Sequence, residues 1–336
     1  MCGITGHLPD NISEQTHNLQ FHKKGENTMI NGVINVYKEK GYTSHDVVAK
    51  LRGILKQKKI GHTGTLDPDA VGVLPVCLGN ATKLCDMLTD QNKEYIAELL
   101  LGYETDTQDM TGTILKQLDV SVSEEQVQDA ILSFVGKSQQ IPPMYSALKV
   151  NGKKLYELAR AGIEVERKAR PIEITEIEIE EMNLPLVRMR VVCSKGTYIR
   201  TLCHDIGIKL GCGGAMESLK RSRVGQFKVQ DAFTLSQIEN FRDEGTVLEK
   251  IVKVDEVFSE YPSCKIKNQW KKLLENGNAF YNEQIAESFD SEGNPVSVCG
   301  QLQLKVYDED GRFYGIYGFS NEKNRFEPVK MFLEKE

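Results

Sequence analysis

An α+β fold followed by a small all-β module is the architecture that this 336-residue sequence predicts. Between residues 30 and 210, segments with strand and helix patterns alternate irregularly, without the regular βαβ rhythm of a doubly wound fold. From about residue 250 the chain instead carries short strand-like runs separated by turn residues, as at 276–278 and 308–311. A composition of 40% hydrophobic and 27% charged residues is ordinary for a globular protein of this length.

The individual elements follow from periodicity and capping. Apolar residues at three- and four-residue spacing behind a capping side chain predict helices, and alternating or β-branched runs predict strands. In order, these rules predict a strand at 30–38, a helix at 43–57 capped by Thr43 or Ser44, a strand from Tyr95 to Leu101, a helix from Ser123 to Phe134, a strand pair at 172–179 and 186–193, and a helix at 199–210.

Three units are expected along the chain. Residues 1–28 are polar and aperiodic, so we expect a disordered extension; residues 29–250 form the main domain and residues 251–336 the small all-β module. No apolar run approaches membrane-spanning length and no secretory signal is visible, which predicts a cytoplasmic protein.

The eight cysteines include no short-spaced pair. Cys193, Cys203 and Cys212 lie near His204 in the sequence, but their spacing suits no common zinc site. We therefore expect structural thiols and no metal.

Charge is distributed unevenly. The formal net charge of −6 argues against a generic nucleic-acid binder, because phosphate contacts need Lys and Arg. However, residues 29–60 hold seven basic and two acidic groups, and residues 188–228 hold nine basic and two acidic groups, whereas acidic residues concentrate at 94–129 and 172–181. Such a polarised surface can steer RNA to one face. Each cluster alone is also typical of a solvated helix face.

The segment GHTGTLDPDAVGVLPVCLGNATK at 61–83 is the strongest local signal. It places Asp67 directly before Pro68 in a loop flanked by glycines, which allow backbone conformations closed to other residues. Proline fixes its own φ and pushes the preceding residue towards an extended conformation. Such a loop can hold one carboxylate in a fixed orientation. The alternative is a tight turn in which Asp67 caps a helix or closes an Asx-turn.

This segment resembles the signature motif of the TruB family of tRNA pseudouridine synthases, in which the Asp of G-x-L-D-P is catalytic. Further segments resemble family motifs in the expected order: KEYIAELLLG at 93–102, DTQDMTG at 106–112, QIPPMYSALKVNGKKLYELAR at 140–160 and CSKGTYIRTLCHDIG at 193–207. The resemblance covers residues 29–230 strongly and the remainder more weakly.

The resemblance implies a pseudouridine synthase fold, with a mixed, largely antiparallel sheet and flanking helices, in a catalytic domain at 29–250. The module at 251–336 resembles the PUA domain of RNA-modifying enzymes, through short runs such as FEPVKMF at 326–332. An unrelated β module or a dimerisation domain is the alternative for this part of the chain.

The implied reaction is the isomerisation of uridine 55 in the T-loop of tRNA, by base flipping, without metal or cofactor. Cleaving N1–C1′ and rebonding C5 to C1′ needs one reactive side chain, whereas glycoside hydrolysis normally needs two carboxylates. The loop offers Asp67, with Asp69 two residues beyond and no matched second acid. Whether Asp67 attacks C1′, attacks C6 of the base or assists a glycal route stays open.

Two further residues are expected at the reacting centre. Asp67 must be ionised to attack, and burial would raise its pKa, so a cation is needed beside it. Arg200, in KGTYIRTL, matches the family arginine that pairs with the catalytic Asp, and a guanidinium can grip a carboxylate bidentately. Tyr95 matches the family tyrosine that packs on the target base and removes its C5 proton.

The resemblance assigns RNA-binding roles to a wider set of residues. His62 matches a histidine that fills the space vacated by the flipped nucleotide, and Leu219 an apolar residue near the pocket. Lys83 and Lys149 are expected to contact phosphates, and Asp109 to organise a loop near the RNA.

We expect a monomer that binds the T-stem-loop of tRNA without an obligatory protein partner. Two alternatives remain: a related synthase that depends on a guide RNA or acts on other RNA, and an RNA-folding chaperone whose catalysis is secondary.

Overall fold

The computed structural model describes residues 29–298 and 303–333, so the extension expected at 1–28 lies outside the described residues.

The strands of the first part are β1 Gly32–Lys38, β2 Ile60–His62, β3 Val71–Leu78, β4 Lys93–Leu101, β5 Tyr103–Thr105, β6 Ile114–Gln117, β7 Gly136–Gln140, β8 Lys149–Val150, β9 Lys153–Lys154, β10 Arg170–Asn183, β11 Leu186–Cys193, β12 Gly214–Val224 and β13 Phe227–Lys228. The helices are α1 Ser44–Leu55, α2 Cys85–Thr89, α3 Glu124–Leu132, α4 Leu155–Arg160, α5 Ile199–Leu210, α6 Leu235–Asp243 and α7 Lys271–Glu275. The remaining strands are β14 Ser263–Ile266, β15 Ile285–Phe289, β16 Gln303–Asp308, β17 Phe313–Ser320 and β18 Arg325–Met331.

Most strands of the first part form one large sheet. Within the described residues it has nine strands, in the order β1-β3-β12-β4-β11-β10-β7, with β2 also paired to β3 and β13 to β12. β12 runs parallel to β3, and the other neighbours are antiparallel. The predicted mixed, largely antiparallel sheet is therefore confirmed.

Helices pack on this sheet through apolar stripes, as the periodicity predicts. α1 and α6 cover β1 and β3 through a core that includes Ile34, Leu51 and Ile238. α3 and α5 cover β4, β10 and β11 through a second core. The caps are also confirmed: Thr43 caps α1, and Ser123 with Gln126 forms the capping box of α3. Capping satisfies backbone N–H groups that the first helical turn leaves unpaired.

A second sheet, in the order β15-β14-β16-β17-β18, forms the C-terminal module. Its own core is aromatic, with Phe280 stacked on Phe326. Ile316 and Phe332 of the module join a core that also holds Val33 and Val73 of the large sheet. Along the part of the chain that the structure describes, none of the helices is long and apolar enough to cross a membrane.

The large sheet is interrupted at one edge of β3, which we call the seam. β2 pairs with β3 at residues 76–78, whereas β12 pairs with it at Val71 and Gly72. Residues 63–70 leave the sheet between these two partners. In the intervening stretch, side chains bind the carbonyls of β3: Arg221 donates to Val73 and Thr63 donates to Pro75. The seam is where the loop carrying Asp67 emerges.

Gly72, beside the seam, is expected to be irreplaceable. Its φ is +107°, and a Cβ at this position would lie 2.3 Å from the Arg221 carbonyl oxygen. Because backbone strain adds to this clash, we expect Gly72→Ala to lower the free energy of unfolding by about 2 kcal/mol or more. Urea denaturation measures the loss.

Gly41→Ala is the matched control, since Gly41 also has a positive φ, of +88°, but nothing lies within 4 Å of its added Cβ. It should cost only the backbone strain, about 1 kcal/mol. Equal losses in the two variants would show that β3 can move away from β12.

Candidate active site

The loop at 63–70 is held at several backbone positions. Lys38 Nζ donates to the carbonyls of Pro68 and Ala70, at 2.9 and 2.6 Å. Leu66 N donates to Ser44 Oγ at 3.0 Å. These bonds fix the backbone on both sides of Asp67 and leave its carboxylate to make other contacts.

The carboxylate of Asp67 lies against the guanidinium of Arg200. Arg200 Nε is 3.0 Å from Asp67 Oδ2, and Nη2 is 3.2 Å from Oδ1, a bidentate geometry. Arg200 is 5% exposed and also donates to the carbonyls of Thr107 and Tyr145. A cation in the first turn of a helix opposes the helix dipole, so α5 itself gains nothing from Arg200. Its contacts with Asp67 and with the two carbonyls account for its position.

Asp67 is surrounded by protein while 38% of its side chain remains exposed. Burial raises the pKa of the Asp67 carboxyl above its ordinary value, the positive charge of Arg200 opposes the rise, and the nearby Asp109 adds to it. The site thus holds an accessible carboxylate that is less hydrated than a surface Asp and whose charged form is favoured by Arg200 and, to a smaller extent, by Lys38.

Asp109 organises the neighbouring loop. Its Oδ1 accepts hydrogen bonds from the hydroxyl of Thr107, at 2.7 Å, and from the backbone N–H of Thr111, at 3.1 Å. Its Oδ2 lies 3.6 Å from Arg200 Nη1. Asp109 therefore fixes a loop whose Thr107 carbonyl also binds Arg200, and it shares the cation with Asp67.

Tyr95 lies inside the same region, on β4. Its Cα partners are Val191 on β11 and Arg221 on β12, and directly paired residues place their side chains on one face. Tyr95 is 8% exposed and packs in one core with Leu66 and Leu219. Burial raises the pKa of its phenol, and the positive charge of Arg221 opposes that rise.

His62 ends β2, five residues before Asp67, and is partly exposed. Its ring meets the ring of His45 edge to face, at 5.3 Å between centroids. Burial lowers the pKa of His62, and the charges of His45 and Arg221 lower it further. The imidazole is therefore mainly neutral at pH 7.

Comparison with known proteins gives the family. A model described as TruB family pseudouridylate synthase, N-terminal domain, matches residues 52–199, and one described as tRNA pseudouridylate synthase B C-terminal domain matches residues 200–258. The chain belongs to the TruB family of pseudouridylate synthases. The family resemblance of the sequence motifs is thus confirmed, and the chain is an enzyme of the isomerase class.

Individual relatives of the TruB family cover almost the whole chain. The tRNA pseudouridine synthase B of Lachnoclostridium phytofermentans is 50% identical over 313 residues, which is 90% of this chain and all of the relative. That of Clostridium kluyveri is 44% identical over 304 residues, with the same coverage.

Comparison with solved structures identifies the fold. A Cbf5–Nop10–Gar1 complex contains a chain that superposes with a TM-score of 0.67 at 27% identity, covering 90% of this chain and 85% of the other. An H/ACA ribonucleoprotein bound to a substrate RNA containing 2′-deoxyuridine gives 0.66 at 25% identity, covering 91% and 86%. The predicted pseudouridine synthase fold is confirmed.

Not all the residues singled out from the TruB motifs come together. Leu219 lies on β12, two residues before Arg221, and packs in the core that holds Tyr95. Lys83 instead donates to the Met331 carbonyl at 2.8 Å, so it links the first part of the chain to the C-terminal module. Lys149 is exposed on the β8–β9 hairpin.

Sequence reasoning missed two buried cations, Lys38 and Arg221. Both belong to the basic clusters assigned above to an RNA-facing surface, but they are 0% and 1% exposed. That interpretation was wrong for these two residues, because their donors bind backbone carbonyls inside the protein. Burial lowers the pKa of Lys38 to about 8. A count of charges along a sequence carries no signal that separates such residues from surface ones.

Among residues 29–298 and 303–333, no group of three or more His, Cys, Asp or Glu side chains could hold a metal ion.

Proposed function

We propose that this chain isomerises uridine 55 in the T-loop of tRNA to pseudouridine, with Asp67 as the reacting carboxylate. The observation that carries the proposal is the Asp67–Arg200 pair, in which an accessible carboxylate is gripped bidentately by a buried guanidinium. The substrate is supported by relatives named tRNA pseudouridine synthase B, which share 44–50% of their residues with this chain over their full length.

The chemistry needs no external reactant. The N1–C1′ bond of uridine breaks, the uracil turns, and C5 bonds to C1′. C5 then loses a proton, the electron pair of its C–H bond restores the C5=C6 double bond, and N1 gains a proton. Asp67 reacts in its ionised form, and Arg200 favours that form in a partly buried site. A water-poor site protects the intermediate from hydrolysis.

The target nucleotide must leave its stack to reach Asp67. Flipping a base costs a few kcal/mol, and stacking on an aromatic side chain returns about 1–3 kcal/mol. We assign the stacking to Tyr95, whose phenolate oxygen also takes the C5 proton. The neutral ring of His62 fills the space that the nucleotide leaves, since a neutral aromatic ring can stack between bases at little desolvation cost.

We further propose how the rest of the chain binds RNA. Residues 29–250 form the catalytic domain and residues 251–336 a PUA-like RNA-binding domain. Lys149, on an exposed hairpin, contacts a phosphate of the T-stem-loop, and Lys83, at the junction with the module, contacts another. Asp109 keeps its loop in the shape that the RNA meets. The enzyme acts as a cytoplasmic monomer without a protein partner.

A second candidate is a synthase that works within a guide-RNA particle. The structural likeness to chains in H/ACA and Cbf5–Nop10–Gar1 assemblies favours it. The higher identity to the tRNA pseudouridine synthase B relatives favours the tRNA enzyme.

A single assay separates the two. The purified chain is incubated with a bare T-stem-loop transcript, and the product is chemically labelled and read by mass spectrometry. We expect pseudouridine at the position equivalent to 55 and nowhere else. A transcript that stays unmodified until guide RNA and partner proteins are added would overturn the tRNA assignment.

Arg200→Lys is expected to impair turnover more than folding. Lysine keeps the positive charge, but it cannot grip both oxygens of Asp67 while binding two carbonyls, so the carboxylate loses its orientation. A displacement of this kind lowers kcat by roughly 10- to 100-fold. Single-turnover rates and urea midpoints measure the two effects, with Arg188→Lys on the outer ion pairs of the sheet as the control.

Arg200→Gln tests the direction in which Arg200 shifts the pKa of Asp67. Without the cation the pKa of Asp67 rises further, so the rate should climb with pH through a higher midpoint than in the parent. Parental activity in Arg200→Lys, or an unmoved midpoint in Arg200→Gln, would exclude the pairing role.

A further inference from the structure

Arg221 is a buried cation that the chemistry proposed above does not use. Its guanidinium is 1% exposed, with Nε donating to the Val73 carbonyl at 2.7 Å and Nη2 to the Gly64 carbonyl at 3.4 Å. The ion pairs within 4.0 Å among the described residues include none with Arg221. Burying a charge without a counterion is costly. Its presence at this place points to a use beyond packing.

The position of Arg221 connects the two reacting groups. It spans the seam, since Gly64 lies near the start of the loop that carries Asp67 and Val73 follows the loop. Across the sheet it is paired directly with Tyr95 on β4 and with Gly72 on β3. Direct pairing on adjacent strands places its side chain beside that of Tyr95, where its positive charge opposes the rise that burial causes in the pKa of the Tyr95 phenol. One guanidinium therefore binds both flanks of the loop, from a position directly paired with Tyr95.

Three titratable groups face the Tyr95 phenol: Arg221 from β12, Cys193 from β11 and Asp67 from the loop. Burial raises the pKa of Cys193 to about 11, so this thiol is neutral at pH 7. The charge of Asp67 opposes negative charge on the phenol oxygen. Of the three, Arg221 is the group that stabilises it.

We propose that Arg221 is a positioning residue that orients the Tyr95 hydroxyl and stabilises the phenolate form of Tyr95, which is the form that accepts the C5 proton. The proposal rests on the function proposed above. In the step concerned, the phenol first gives its proton to solvent, and the phenolate then accepts the C5 proton, which restores the neutral phenol. The C–H electron pair forms C5=C6, the C6=N1 π pair moves to N1, and N1 takes up a proton from solvent. Arg221 stays protonated throughout and enters no bond.

Lys38 provides a matched control. It is another buried cation that anchors the same loop, but its bonds go to the carbonyls of Glu39, Pro68 and Ala70. If Arg221 served only to anchor the loop, replacing either cation would have the same kinetic consequence.

The test is a single-turnover assay on a T-stem-loop transcript whose target uridine carries hydrogen or deuterium at C5. Arg221→Gln is expected to slow isomerisation about 100-fold, with unchanged RNA affinity, and Arg221→Lys about 10-fold, because the charge is kept. Both should show a larger deuterium isotope effect than the wild type, since the C5 step becomes slower. Lys38→Met should lower stability and rate without enlarging the isotope effect.

The outcomes are distinct. An isotope effect in both Arg221 variants no larger than in the wild type, or one enlarged equally by Lys38→Met, would overturn the role of Arg221. If circular dichroism shows that Arg221→Gln does not fold, Arg221→Lys decides alone; loss of the fold in both assigns Arg221 to structure only. A wild-type chain that forms no pseudouridine contradicts the proposed function itself, and the role of Arg221 with it.

Discussion

Asp67→Ala should abolish pseudouridine formation while the protein still binds tRNA. Removing the reacting group from an enzyme of this kind costs roughly 10⁴-fold or more in rate. Binding should persist, because phosphate contacts on the basic surface supply most of the affinity for RNA. Single-turnover assays and filter binding on the same transcript measure the two quantities. Asp67→Asn, which keeps the shape of the side chain, should be equally inactive.

Asp69→Ala is the control within the same loop. Asp69 is half exposed, and its carboxylate lies 4.0 Å from Lys40 Nζ, a distance at which a surface pair contributes little. Its loss should leave the rate nearly unchanged. Residual isomerisation by Asp67→Asn above the uncatalysed rate would show that another group reacts. Full rescue of a deletion strain by Asp67→Ala would favour a chaperone role over catalysis.

Tyr95→Phe should separate the two tasks of the tyrosine. Phenylalanine keeps the ring and its stacking but loses the hydroxyl, so RNA affinity should hold while the rate falls by about 10²- to 10⁴-fold, the range of a lost general acid–base group. Tyr95→Leu should in addition weaken binding, by about 1–3 kcal/mol for the lost stacking on the base. Gel-shift titration and single-turnover kinetics distinguish the two substitutions.

Tyr103→Phe is the matched control, since Tyr103 lies on the β5–β6 hairpin with its hydroxyl bound to Gln117. It should affect neither binding nor rate. A Tyr95→Phe enzyme with the wild-type rate would exclude Tyr95 as the group that takes the C5 proton.

Local elements were predictable from the sequence because their causes are local. The capping pair Ser123 and Gln126, and the apolar stripe of α1, each lie within a few residues, so spacing alone determines them. The partly parallel sheet was predictable only through the family resemblance. Nothing near Lys220 or Arg221 in the sequence indicates that they pair with residues 71 and 72.

The residues of the candidate site likewise fall into those indicated by their neighbours in the sequence and those brought together only by the fold. Asp67 stands out because its glycines and proline are adjacent to it in the sequence. Arg200 is 133 residues away and Arg221 is 157 residues beyond Gly64, so their contacts exist only after the sheet has formed. A basic side chain that the fold leaves on the surface can contact RNA, whereas one that the fold buries binds backbone carbonyls. For Lys38 that outcome depends on the Pro68 and Ala70 carbonyls turning towards it, which no sequence pattern encodes.

The seam sets the length of the loop that carries Asp67. Surface loops usually tolerate insertions, because lengthening a flexible loop adds little closure entropy. This one is bound near both ends by Arg221, at Gly64 and Val73, and in its middle by Lys38. An inserted residue would have to break one of these contacts and expose a buried cation. The segment forms neither helix nor strand, yet we expect it to tolerate no more variation in length than a strand at the centre of the sheet.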